Sequence, residues 1–270
     1  MLKIGLRFII LAALLTIKNS SFTLIANNQP TAKRKDAIAS IQLYINENPR
    51  KAINLANSTP ATTNIDTLGL IATLKANAYL TLGKPDSALL AIDSVFLDNK
   101  QISKSTHFEI VKFKVSHLVS LNSFSEAIDE LNKQQKEYSN SEDISLNARI
   151  VILKAEVYEQ QKEYQKALML LKNGLTEHEK QNATSINVLF YRSIGSHFFK
   201  TGMFTKAIDW YNKALSGYNE LNDTLNQISI LKNISLANRG LSQFDNANSD
   251  LLKAQSLAIA NDNPEELADI

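Results

Sequence analysis

The sequence predicts an all-α fold, a helical-hairpin solenoid of about five to six repeated units with a period of 39–40 residues. Three observations predict it. The 270 residues include only 8 glycines and 5 prolines, which suits helices joined by short links. The long Val/Ile/Thr runs and glycine-rich turns of a sheet protein are missing. A short motif built on a small residue returns at Ala88, Ala127, Ala167, Ala207 and Ala247, and a repeat of that length decides the fold class.

Residues 1–26 come first. Lys3 and Arg7 form a basic head, Phe8 to Ile17 is apolar apart from Thr16, and a serine-containing stretch follows. Ten residues make about 15 Å of helix, against a hydrocarbon core of roughly 30 Å. The segment therefore reads as a secretory signal peptide, with Leu24-Ile25-Ala26 as its cleavage context. It holds Lys3, Arg7 and Lys18 and no acid, so its removal takes the formal charge from +2 to −1. Net charge gives no support for nucleic acid as a partner. The chain has no cysteine, which excludes disulfides, thiolate metal sites and thiol chemistry.

Residues 27–68 are expected to form an N-terminal cap or a degenerate first repeat with Ala52 as its small residue, and residues 69–261 the repeat array. In the clearest copy, Tyr191, Ile194, Gly195 and Phe198 share one face of a first helix. Gly202 then stops it, and Phe204, Ala207, Ile208, Tyr211, Ala214 and Leu215 mark a second amphipathic helix. Antiparallel helices on a short link cross closely where a side chain is small, so Gly195 and Ala207 are the expected points of approach. The aromatics fill the space beside them. Residues 262–270 begin with Asp262 or Asn263 as a cap and Pro264 at the first helical position. They are read as the start of a further helix, either a weak cap or a truncated part of a longer chain.

The pattern resembles the tetratricopeptide repeat family. The first-helix signature is carried as Tyr191-x2-Ile194-Gly195-x2-Phe198 and the second as Ala207-x3-Tyr211-x2-Ala214. The match is close in 188–221, good in 148–181 and moderate in 69–101, 108–141 and 228–261. The departure is the period, 39–40 residues against about 34 in the family, so the helices or the links are longer. The resemblance implies that the first helices line a concave face and that outward residues there bind an extended peptide or a partner helix. Carried onto this chain, the candidates are Asn77 and Thr81; Lys112, Ser116 and Ser120; Arg149, Ile152, Glu156 and Glu159. They continue with Arg192, Ser196, Phe199 and Lys200, and close with Lys232, Leu236 and Arg239. Arg192 and Phe199 stand out, an arginine and an aromatic being the usual interface anchors.

Chemistry has little to stand on. His107, His117, His178 and His197 show no metal-ligand spacing, and His197 is expected on a helix surface. Phosphate-cradling glycine motifs and a Gly-x-Ser-x-Gly elbow do not occur. The aromatics at 190–211 are expected to be core, because other units hold leucine or alanine at the same positions. No catalytic residue, cofactor site or metal site is assigned, and an enzyme is not expected.

Function is thus expected to be protein or peptide binding by an exported module. Exported arrays of this period resemble the sensory input regions of bacterial membrane-bound signalling proteins such as diguanylate cyclases and histidine kinases. Two further readings stay open: a free-standing periplasmic adaptor or envelope assembly factor, and a cytoplasmic scaffold. Membrane association is expected only if the native chain continues beyond Ile270 or the signal segment is retained.

Overall fold

The computed structural model describes residues 32–59, 65–96, 103–139, 144–180 and 184–261. The signal-peptide expectation for 1–26 and the helix start at 262–270 lie outside them. The described residues form twelve α-helices and no strand, paired into six hairpins. They are α1 (Ala32–Glu47) with α2 (Pro49–Ser58), α3 (Ile65–Thr81) with α4 (Pro85–Phe96), and α5 (Lys104–Ser120) with α6 (Phe124–Ser139). Then follow α7 (Ile144–Gln160) with α8 (Tyr164–Glu179), α9 (Thr184–Lys200) with α10 (Phe204–Glu220), and α11 (Thr224–Gly240) with α12 (Phe244–Ala260). The fold is all-α and built from repeated helical hairpins, as the sequence predicts.

The long period comes from the helices, not the links. From α9 onward each helix has 17 residues and successive helices are separated by three. The small residue is always the fourth of its second helix: Ala52, Ala88, Ala127, Ala167, Ala207 and Ala247 are at most 1% exposed. Its amide donates to the carbonyl of the residue just before the helix, as Ala207 does to Met203 at 3.0 Å. A larger side chain there would be driven into the partner helix in the first turn after the link.

Each link within the five hairpins from α3–α4 to α11–α12 closes on one residue at positive φ: Gly83, Asn122, Lys162, Gly202 and Ser242. The next amide reaches back to a carbonyl five residues earlier. Lys84 donates to Tyr79, Ser123 to Leu118, Glu163 to Tyr158, Met203 to Phe198 and Gln243 to Asn238, at 2.8–2.9 Å. This satisfies carbonyls that the helix end leaves free. Glycine adopts the left-handed turn without strain, whereas a side chain costs about 1–2 kcal/mol there. Lys162 (φ 64) and Ser242 (φ 61) carry that strain. Lys162→Gly is therefore expected to raise stability by about 0.5–1 kcal/mol, the gain being trimmed by the looser unfolded chain. A rise in the urea midpoint measures it, and Gly202→Ala should move the midpoint the other way.

The chain divides into two compact units, with the boundary after Glu130 in α6. In the first, Ile41, Ala52, Leu74 and Ala78 form one apolar cluster, and Ala76, Ala88, Ile92, Ile110 and Phe113 another. Asp66, in the first turn of α3, accepts from the Thr106 hydroxyl at 2.7 Å and the Ser103 amide at 3.0 Å, tying α3 to the start of α5. Burial alone would raise its pKa, but those hydrogen bonds outweigh burial and hold it below the ordinary value.

In the second unit a continuous core runs through α7 to α11. It includes Ile152, Ala155, Ala167, Leu171, Phe190, Ile194, Phe198, Ala207, Tyr211, Ile230 and Ile234. The aromatics around Gly195 are part of this packing. A β-carbon built on Gly195 would lie 2.5 Å from Cδ1 and 2.7 Å from Cε1 of Tyr211. The glycine is thus matched to the Tyr211 ring as well as to the helix crossing. Where the second helix carries Leu171 instead, the first helix carries Ala155, and opposite Leu251 stands Ser235. Ser235 keeps its hydroxyl satisfied by donating to the Ala247 carbonyl at 2.9 Å.

Candidate functional site

The predicted site residues fall in both units. In the first, Asn77 is buried, Lys112 and Ser116 are half-buried, and Thr81 and Ser120 are exposed. Lys112 lies 3.9 Å from Glu109, and the Ser116 hydroxyl donates back to the Lys112 carbonyl. Asn77 is packed into the hairpin and presents little surface to a ligand.

In the second unit the first helices α7, α9 and α11 repeat at a 40-residue step, which sets the candidates in three rows. Ile152, Arg192 and Lys232 form one, Glu156, Ser196 and Leu236 the next, and Glu159, Phe199 and Arg239 the third. Arg149, half-buried, precedes the first row. Ile152 and Glu159 are buried, so the α7 end of this grid offers Glu156 as its exposed member. On α9, Arg192, Ser196 and Phe199 are half-buried, and on α11 Leu236 and Arg239 are exposed.

Local contacts explain the half-burial. The Arg192 guanidinium donates to Asn226 Oδ1 of α11 at 3.4 Å, linking the two first helices. Ser196 is hydrogen-bonded to Tyr211, whose hydroxyl burial pushes up to about 12, against the pull of that bond and of the Arg192 charge. Phe199 stands edge-on to Phe204 with ring centroids 5.5 Å apart. Phe199 is thus partly buried, packed against the core of this unit as well as on Phe204.

A polar cluster behind the grid was not read from the sequence. Glu159 and His197 are almost wholly buried, and Oε1 of Glu159 accepts from Nδ1 of His197 at 2.9 Å. An ionised carboxylate can only accept, so Nδ1 carries the hydrogen. The other carboxylate oxygen receives Lys200 Nζ at 2.6 Å. Burial alone would raise the Glu159 pKa, but the His197 and Lys200 interactions together outweigh it and hold the carboxyl below its ordinary range. His197, expected on the helix surface, is 2% exposed. Its position turns sideways toward α7 rather than outward, and Tyr164 closes over it at 6.2 Å. The cluster fastens α7 to α9. Among the described residues, no group of three His, Asp or Glu side chains could hold a metal ion.

Two open clefts, of about 750 and 390 Å³, lie between the second helices α10 and α12 and are lined by α11 as well. The larger includes Leu215, Leu231, Leu252 and Leu257, and the smaller Asp209, Asn238 and Asp250. Asp250 is engaged, accepting from Asn238 at 2.9 Å and from Lys253 at 3.2 Å. Among the described residues, no helix is long and apolar enough to cross a membrane.

No protein-family model matches the chain, and no curated protein matches it in sequence. Solved structures do match in fold. BtubC (BKLC) from P. vanneervenii is 14% identical, with 86% of this chain and 93% of that chain covered and a TM-score of 0.50. The STAND signal-transduction ATPase with a tetratricopeptide repeat sensor from Pyrococcus horikoshii is 14% identical, with 87% and 38% covered and a TM-score of 0.51. Aspartyl phosphate phosphatase F from Bacillus subtilis is 10% identical, with 89% and 78% covered and a TM-score of 0.56. At such identities the likeness is one of fold alone, that of helical-repeat proteins.

Proposed function

We propose that the chain is an exported helical-repeat module that binds a protein or peptide along the face carried by α9 and α11, as the input region of a signalling protein. The single observation that carries the binding reading is the grid itself. Arg192, Ser196 and Phe199 on α9 recur in register as Lys232, Leu236 and Arg239 on α11, and Leu236 is 47% exposed beside two cations. Arg239 is of a residue type enriched at interfaces, and the exposed leucine beside it gives a partner apolar area to cover. The repeat region of the P. horikoshii protein is a sensor, which supports an input role, although this chain spans only 38% of that one. In this reading the chain binds and does not catalyse.

The test is a photoreactive residue at Leu236, crosslinked in cells, with Leu252 on α12 as the comparison. A discrete adduct to another protein at Leu236, and none to another protein at Leu252, is the expected result. The reverse pattern moves the interface to the α10–α12 clefts and ends the proposal. Export rests on the basic-then-apolar N-terminal pattern. The amino terminus of the protein recovered from the cell envelope should be Asn27. Retention of Met1–Ala26 would reject cleavage.

A further inference from the structure

We infer that α12 pairs with α12 of a second copy of this chain, antiparallel and about a two-fold axis. This does not rest on the α9–α11 face. The first observation is a change of pattern. Five positions at helical spacing form the stripe that a second helix turns toward the hairpin after it. In α8 they are Tyr164, Leu168, Lys172, Leu175 and Glu179, and in α10 Phe204, Ile208, Asn212, Leu215 and Asn219. The first, second and fourth positions do the packing. Tyr164 closes over His197 of α9, Phe204 lies against Gly240 of α11, and Leu215 packs on the cluster of Ile228 and Leu231. The third and fifth positions are exposed in both helices.

In α12 the stripe reads Phe244, Asn248, Leu252, Gln255 and Ile259. Four of the five positions exchange their character. Amides stand where α10 has Ile208 and Leu215, and apolar side chains where it has Asn212 and Asn219. A first helix of the kind that packs on α8 and α10 would press apolar groups onto two amides here and leave two large apolar side chains in water. Phe244, Leu252 and Ile259 are 61–62% exposed. Among the described residues, the side chains of Asn248 and Gln255 make no hydrogen bond.

The second observation is symmetry. The stripe runs apolar, amide, apolar, amide, apolar, with its midpoint between Leu251 and Leu252, so it has the same order from either end. A second α12 carries the matching order by identity. In the antiparallel pair, Phe244 meets Ile259 of the second copy about 11 Å from the axis, and Asn248 meets its Gln255 about 5 Å from the axis. Leu252 lies at the axis beside its own copy. Each side-chain amide both donates and accepts, so Asn248 and Gln255 satisfy one another across the pair. The stripe holds no charge, so nothing repels at the axis, and the opposed helix dipoles attract. A contact that uses the same patch on both sides closes after two copies. One helix pair is a small interface, so the dimer is expected at micromolar rather than nanomolar concentration.

The test is sedimentation velocity of the full chain across micromolar concentrations. The expected result is a reversible dimer of twice the chain mass. Leu252→Lys sets two ammonium groups at the axis and should weaken it at least tenfold, with the far-ultraviolet circular dichroism unchanged. Mixing the Leu252→Lys and Leu252→Glu chains should restore it. The chain has no cysteine, so introduced ones report the register cleanly. Asn248→Cys mixed with Gln255→Cys should form a disulfide, and neither should do so alone. Efficient crosslinking of Asn248→Cys with itself overturns the antiparallel register. A dimer that tolerates Leu252→Lys overturns the α12 contact, as does an adduct at Leu252 in cells to another protein instead of a second copy. A monomer at every concentration overturns the pairing. In that case a Leu252→Cys thiol that resists a maleimide means that the chain's own residues after Asn261 cover the stripe, and a reactive one means that nothing does.

Discussion

Glu159→Gln is expected to destabilise the C-terminal unit by about 2–3 kcal/mol, because it leaves the nearly buried His197 facing a neutral amide and removes the charge that Lys200 answers. Trp210 is the only tryptophan and packs on Tyr191 in this unit, with ring centroids 5.9 Å apart, so its fluorescence in urea reports the right part of the chain. Lys200→Gln should cost less than about 1 kcal/mol, since its side chain is 43% exposed and water replaces the partner. The pH dependence has a definite sign. The folded-state pKa of Glu159 lies below its ordinary 4.5. Its contribution is therefore fully present above about pH 4.5 and is lost as the pH falls through the lower folded-state value. The wild type should lose stability faster than Glu159→Gln below pH 4.5, so the two curves converge in acid. Parallel curves would mean that the carboxylate is not the origin of the difference.

Gly195→Ala is the second large effect. In an open helix this change gains about 1 kcal/mol. Here the new methyl would sit 2.5 Å from the ring of Tyr211, which is 2% exposed and cannot swing away. A net loss of about 1–3 kcal/mol is expected from overpacking. The double substitution Gly195→Ala/Tyr211→Leu reproduces the Ala155–Leu171 pairing of the preceding hairpin and should recover most of that loss. The coupling in a double-mutant cycle is the readout, and additive losses would contradict the matched pair.

The hairpins were legible because a small residue every 39–40 positions is a local pattern repeated along the chain. Gly202 as a helix stop was legible for the same reason, since glycine alone carries turn information in its identity. Lys162 and Ser242 occupy the same left-handed position, and nothing in a lysine or a serine announces it. The polar cluster was hidden differently. Glu159 and His197 lie 38 residues apart, and periodicity locates a helix face without telling which polar residue turns sideways into the neighbouring hairpin. Asn77, Ile152 and Glu159 were carried onto the outward face from the family resemblance and are buried, because helices packed on two sides leave a narrower open stripe than a single amphipathic helix. Arg192, Ser196 and Phe199 were placed from the resemblance as well. The contacts with Asn226, Tyr211 and Phe204 that leave them half-buried involve α10 and α11, so no pattern within α9 could reveal them.

The central claim is that this chain binds a partner through α9 and α11. Hydrogen–deuterium exchange of the full chain, with and without the protein captured at Leu236, tests it most directly. Slower exchange in peptides from α9 and α11, with α10 and α12 unchanged, is the predicted result. Protection confined to α10 and α12 would contradict it.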